Sequence, residues 1–595
     1  MILLVYIAFL AALFLFTREY SEKIRTGLIL GYNFLFVLLV QYIIRVFSMH
    51  DSAMTSVGNS LYNTVQSLTF NGDIDWAEKL TQRMQAQMWL IVFIAAVFTA
   101  ESVLVAFFGR FLAQFKLKIR HLFAKEQYVI VGKPEEASIL IADTLAHLDK
   151  PCVVYIPTQS PEEDSELYKI CRMEEMSFLG RLKPEVKYHI VLLPEAEYSN
   201  LDAIYTLNER ATDNDHVKLT AFLDNDVIRF HDIHADKLDT CLVSKEQLVV
   251  RKYFNECSPI DILCEANAFA KSGLPYLEKP FRLCVIGFGD MAKEFLLYSY
   301  ENSAFITKER KSGFAALVMD TDYADKKEEF LTEAPYFETS DEIQFLHTKI
   351  GSASYFDAIK AYASEWKQIL VATEDTGTNI KTAVKLCQFY NRLGIYQNRP
   401  QIVVMLNEDY SGARHLLEKY ANIRLININR EVINYATLIG RAEDEQAKEA
   451  NDKYQKLNGC GTIWNKLGTF TVASNRALAF DTPIKRKLFK LSHASKKQTM
   501  EFLAEYEHAR WNAFHHARGW RKMPVSDLTP DELTNCKTKH PDEKRHICLV
   551  SWDEIDALPQ KTPGLLKAYD MENVMQALGE EKNNKGFFNK IQSLM

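Results

Sequence analysis

Gly287, Gly289 and Ala292 form a Gly-x-Gly-x-x-Ala run directly after the apolar stretch RLCVI and at the opening of a helix-like segment. In that setting the first glycine allows a tight turn, and the second lets a pyrophosphate approach the N-terminus of the following helix. The next apolar run, AALVMD, ends at Asp320, placed to accept a hydrogen bond from a ribose hydroxyl. The same turn also serves plain packing of a helix on a strand, and both readings stand. A second group lies near the C-terminus. Four of the seven tryptophans, Trp464, Trp511, Trp520 and Trp552, fall there beside Arg476, Arg510 and Arg521. Indole rings with guanidinium groups suit a stacked base and a phosphate; the alternative is that the tryptophans form the core of a small helical domain. Trp511 and Trp520 are about half a turn out of phase on one helix, so they line one cleft only if that helix ends near Gly519. A third group sits among apolar runs: Thr69, Phe70, Asn71, Gly72 and Asp73, with Glu101 further on.

The elements that position these groups follow from hydrophobic period. From Gln127 onward, short β-branched runs alternate with helical patterns, which predicts parallel sheets covered on both faces. The first such unit reads YVIVGKPEEASILIADTLAHLDKPCVVYIP, with further strands at 188–193 and 217–223. Gly132 is followed there by Lys133 and Pro134 rather than by more glycines, so a phosphate has no close approach and a ligand-free scaffold is expected. The second unit carries the Gly287 loop, with QILVA, QIVVML and IRLINI as later strands.

The first 120 residues hold almost all the long apolar runs. Residues 1–16 carry no charge and are expected to span as a short helix, with a cleaved signal peptide as the competing reading; 28–46 and 88–112 are long enough to span outright. Arg18, Lys23 and Arg25 mark one loop, and Arg110, Lys116, Lys118 and Arg120 follow the third run, so both face the cytoplasm under the positive-inside rule. The segment 60–76, SLYNTVQSLTFNGDIDW, is amphipathic, too short to span, and fits a re-entrant pore helix; an ordinary outer loop with a short helix is the alternative. Glu101, inside the third run, either faces a watery cavity near Ile94, Phe98, Val105 and Phe108 or snorkels to the interface.

Three family resemblances follow. The segment ending in Gly72-Asp73 resembles the pore loop of tetrameric potassium-type channels, with Asn71 in place of the aromatic and Phe70 in place of the first glycine. Residues 125–450 resemble tandem RCK (TrkA-N) gating modules of potassium channels and transporters, the second copy more closely than the first. The C-terminal order resembles the bacterial RyR domain, named for a repeat in ryanodine receptors. It is carried by Ser474-Asn475-Arg476-Ala477 with Asp481, Glu507-His508, Arg510-Trp511, Gly519-Trp520-Arg521, His546, Leu549-Val550, Trp552 and Tyr569-Asp570. These resemblances imply an ion channel with a ring of gating domains and nucleotide-like ligands, NAD or another adenine nucleotide among them. Asn475, Arg476, His508, Arg510, Trp511, Trp520 and Trp552 would then be ligand contacts in the last domain.

The expected architecture is multidomain: an α-helical membrane domain over 1–122 with three transmembrane helices and a re-entrant pore helix; two tandem Rossmann-like α/β domains over 123–275 and 276–455; and a mainly helical RyR-like domain over 456–595. Acidic side chains number 77 against 70 basic, so no global basic field favours nucleic acid. All ten cysteines follow residue 150 and none forms a CxxC pair, so free thiols and no metal site are expected. With no Ser-Tyr-x-x-x-Lys pair, no His partnered to an acid in a motif and no separate substrate domain, an oxidoreductase is the weakest reading. The expected protein is a multi-pass bacterial inner-membrane channel, homotetrameric by analogy, cation-conducting and ligand-gated. A non-conducting, membrane-anchored nucleotide sensor of antiphage type is the alternative.

Overall fold

The computed structural model describes residues 2–16, 22–48, 52–69, 81–159, 166–194, 199–210, 216–233, 235, 237–407, 412, 415, 417, 419–441, 444–458 and 464–579, with 2, 14–16, 22–26, 48, 53, 101–113, 199, 210, 453–458 and 465 described by their backbone only. The chain divides into two compact units, 1–124 with 162–173, and 125–161 with 174–595.

The first unit is built from helices Ile2–Phe16, Glu22–Ser48, Ala53–Leu68 and Gln82–Leu122. Among the described residues, two helical segments are long and apolar enough to cross a membrane, Gly27–Phe47 and Gln82–Ala100. The expectation of three is corrected in this respect: the first apolar stretch, Leu3–Leu13, is too short to count with them. Tyr6, Val37, Ile44, Met88, Ile91 and Ala95 form the shared core. Polar atoms are tied inside it, with the Tyr6 hydroxyl donating to Asn33 Oδ1 at 2.8 Å and the Tyr32 hydroxyl to the Tyr6 carbonyl at 3.0 Å. Leu35, Leu39, Phe47, Trp89 and Phe93 stand exposed on the outside. An exterior this apolar suits a hydrocarbon solvent or a partner better than water.

The second unit holds two parallel sheets and a C-terminal helical module. In the first sheet, strands Val153–Pro157, Glu126–Gly132, Lys187–Leu192, Val217–Phe222 and Asp239–Val243 lie side by side in that order. In the second, the order is Ile423–Asn427, Gln401–Leu406, Trp366–Val371, Phe281–Ile286, Phe314–Asp320 and Ile343–His347. Both are doubly wound, with the strand order reversing at the first strand, as in a dinucleotide-binding fold. The strands read as unbroken apolar runs because helices cover both faces, and residues such as Val129, Ile190, Cys284 and Ile369 are fully buried.

The C-terminal module consists of helices Thr469–Leu491, Lys496–His516 and Leu565–Leu578 with a small sheet of residues 521–522, 539–540 and 545–546. Ser495 and Gln498 close a capping box at the start of the middle helix. That helix ends at His516, and Gly519 follows with φ +80. A β-carbon on Gly519 would meet the Glu333 carbonyl oxygen at 2.5 Å, so glycine is what lets the module close on the second Rossmann-like fold.

Buried ion pairs join all three parts of this unit. Arg229 of the first fold binds Glu294 and Glu301 of the second, and Arg518 of the C-terminal module shares Glu301 at 2.7 Å. Arg476 grips Asp444 with Nε and Nη2, each at 2.7 Å, while Arg251 of the first fold reaches the same carboxylate at 3.1 Å. The Tyr336 ring stacks on His516 with centroids 3.6 Å apart.

Candidate functional site

The second Rossmann-like fold positions its loop at the point where the strand order reverses. Gly287 takes φ +85, and a β-carbon there would lie 2.9 Å from the Ala372 carbonyl oxygen and from the Thr373 nitrogen. Only glycine fits that crossing. Gly289 caps helix Asp290–Asn302, and a β-carbon on it would meet open space. Ala292 is fully buried, as close packing of helix on strand requires. The Asp320 carboxylate accepts from the Phe288 N–H at 2.7 Å and the Asp322 N–H at 2.9 Å, with the Lys326 ammonium 3.5 Å away. Burial pushes its pKa up, but these donors outweigh it and hold the group below the usual carboxylate range. It therefore stands ionised at the strand end, where a ribose hydroxyl would need an acceptor.

Beyond the loop lies a cavity of about 490 Å³ bordered by Phe288, Gly289, Lys326, Thr373 and Asn407. Its charge is mixed, with Lys245, Lys293 and Lys326 facing Glu246, Asp290, Glu329 and Glu374. Asp290 in the first helical turn competes with an incoming anion for the helix N-terminus, a feature that glycine spacing alone does not reveal. Burial, then the neighbouring Asp290 and Glu294, raise Glu246 to about 7. A larger cavity of about 1170 Å³ adjoins, and at its edge carboxylate oxygens of Asp226, Glu329 and Glu333 lie within 4.8 Å of one another. The Lys293 ammonium already bridges two of them, at 2.8 Å from Asp226 and 3.0 Å from Glu333.

In the first fold Gly132 has no such opening. A β-carbon there would sit 2.7 Å from the Leu193 β-carbon, and the Tyr155 hydroxyl donates to the Gly132 carbonyl at 3.1 Å.

The C-terminal module divides the residues that sequence grouped together. Arg510 forks onto Glu507 at 2.7 and 2.8 Å, in a buried cluster with Lys485, Asp481 and Tyr506. Arg476 is committed to Asp444, so the expected phosphate role of these two arginines is corrected: each already neutralises a buried carboxylate of its own chain. Trp520 is 6% exposed and packs against Phe470, His515 and His546, which makes it a core residue rather than a stacking platform. Asn475 donates to the Thr471 carbonyl on its own helix, and Trp552 lies under the Lys567 ammonium. Trp464 lies at the margin of a small crevice with Arg476. Only His508 and Trp511 of the seven expected contacts border the module's cavity of about 500 Å³. Asn535, Lys561 and Asn573 border it too and were not foreseen, because residues on a loop and on a separate helix reach this cavity only through tertiary packing that no local pattern encodes.

In the first unit, Thr69 ends helix Ala53–Leu68, its hydroxyl turned back to the Val65 and Gln66 carbonyls at 3.0 Å each. Phe70, Asn71, Gly72 and Asp73, and the side chain of Glu101, lie outside the described residues. The helix begins before the expected start at Ser60, and Ser56, Ser60, Thr64 and Ser67 form one buried face whose hydroxyls find no hydrogen-bond partner among the described residues. Sequence reading passed over this row because its spacing is also that of ordinary small-residue packing.

No protein-family model matches this chain, and no curated protein does. Among solved structures, the crystal structure of GsuK bound to ADP is 13% identical, with 71% of this chain and 98% of that chain covered at a TM-score of 0.33. The GsuK channel bound to NAD is 13% identical, covering 72% and 86%, also at 0.33. An L-alanine dehydrogenase is 12% identical, covering 57% and 94%, at 0.21. Scores this low carry no conclusion about what this chain does.

Proposed function

We propose that this chain is a nucleotide-responsive membrane channel in which a nucleotide, NAD or ADP in class, occupies the cavity beside Gly287 and Gly289. The observation that carries the reading is the pairing of an open Gly289 at a helix N-terminus, on the border of that cavity, with an ionised Asp320 at the end of the adjacent strand, next to the strand-order switch. The apolar helices of the first unit supply the membrane part, and the C-terminal module is a second place for a ligand to act. Assembly as a homotetramer, with cation flow past Glu101, completes the proposal. The test is isothermal titration of the full chain in detergent with NAD and ADP, followed by ion flux from reconstituted vesicles. Gly289→Val should abolish the binding, and Glu101→Gln should lower cation flux. Titration without heat from either nucleotide overturns the assignment.

A second reading, a membrane-anchored nucleotide sensor that conducts nothing, draws on the burial of Ser56, Ser60 and Thr64 within the helical unit, which leaves that hydroxyl row facing protein. Nucleotide binding without flux in any ligand state would select it.

A further inference from the structure

The cavity of the C-terminal module lies between helices Lys496–His516 and Leu565–Leu578 and the loop that joins them, and its border includes Trp511, His508, Asp570, Asn573, Asn535 and Lys561. Its polar groups are partly committed to one another and partly free. His508 Nε2 lies 2.9 Å from the Val550 carbonyl, which can only accept, so that nitrogen carries a proton. His508 Nδ1 lies 3.2 Å from Asp570 Oδ2, which commits that carboxylate oxygen to the ring. Asp570 is 7% exposed and thereby held in one orientation, while its Oδ1 accepts no hydrogen bond among the described residues. The Asn573 amide nitrogen is anchored on Glu507 at 3.0 Å and that of Asn535 on the Asp531 carbonyl at 2.9 Å; neither amide oxygen accepts a bond among the described residues. The cavity thus combines an indole wall with a surplus of acceptors and has one exposed lysine on its border.

A ligand that fits must bring a flat π surface and adjacent N–H donors. Guanine does so with N1–H beside its exocyclic amine, whereas adenine sets the N1 lone pair against the carboxylate. Lys561 meets a phosphate and disfavours a cationic guanidinium ligand. We propose that this cavity binds a guanine nucleotide, read by Asp570, stacked on Trp511 and held at its phosphate by Lys561. This deepens the proposed nucleotide response by naming a base, and it rests on residues separate from Gly287, Gly289 and Asp320.

The test uses the full chain in detergent carrying Gly289→Val, which silences the Rossmann-like loop, titrated with GMP, AMP, guanosine and arginine. GMP should bind about tenfold or more tightly than AMP, since the adenine N1 lone pair leaves a buried carboxylate unpaired. Asp570→Asn should weaken GMP by about tenfold to a hundredfold. Lys561→Ala, at an exposed position that leaves the fold intact, should weaken GMP and leave guanosine unchanged. Equal affinity for GMP and AMP, tighter binding of arginine than of GMP, absence of GMP binding, or wild-type GMP affinity in Lys561→Ala overturns the proposal. NAD and ADP titrated into the chain without Gly289→Val report on the other site separately.

Discussion

Arg229 holds both oxygens of Glu294, Nε on Oε2 at 3.0 Å and Nη2 on Oε1 at 2.5 Å, across the boundary between the two parallel sheets. Both side chains are 1% exposed. A guanidinium so buried is tolerated only while its carboxylates are in place.

Glu294→Gln should therefore cost about 3–5 kcal/mol, because it leaves a buried cation short of one charge. Urea unfolding of the full chain in detergent reads it as an earlier transition. Arg229→Lys should fail similarly, since an ammonium cannot reproduce the two-pronged contact.

The two glycines of the second loop should separate stability from binding. Gly287→Ala puts a side chain at φ +85 and against the Ala372 carbonyl, and should destabilise by about 1–3 kcal/mol or more. Gly289→Ala meets open space and should leave the melting temperature within a degree or two of wild type.

Trp520→Ala should cost about 3–5 kcal/mol of stability as a buried aromatic. Trp511→Ala, bordering a cavity on one side, should cost less and show its effect in ligand titration. Thermal melts of the two variants, side by side, decide the order.

Glu246 gives a pH signature. Its pKa in the folded chain, about 7, exceeds the ordinary 4.5, burial being the main cause. The folded state binds this proton more tightly, so the stability it adds is full below the ordinary value and is lost as pH rises through about 7. Glu246→Gln should then raise stability at pH 8 by on the order of 1–3 kcal/mol and change little at pH 4. A gain at pH 4 that equals the gain at pH 8 would contradict this.

The doubly wound sheets were legible because their strands are unbroken apolar runs such as LCVI and QIVVML, and because Gly287 and Gly289 stand where strand passes to helix. The division of the C-terminal residues was not. Arg476 and Asp444 are far enough apart in sequence that no local pattern couples them, yet their ion pair decides whether the arginine faces a ligand. Charge type is visible in a sequence, but which charges are already neutralised depends on tertiary contact. Trp511 and Trp520 make the same point: a helix end near Gly519 was the condition for one shared cleft, and the helix does end at His516, but the turn sends the two indoles to a cavity border and to the core respectively.

Glu301 accepts from Arg229 and Arg518 at once, so three parts of the chain meet on one carboxylate. With Asp444 gripped from two other directions, these parts behave like bars of a pinned truss, which has no soft internal hinge. A ligand that changes the shape of one bar must either turn the whole frame or pull a buried guanidinium from its partner. A displacement at a cavity edge in one part therefore bears directly on carboxylates that the other parts also hold.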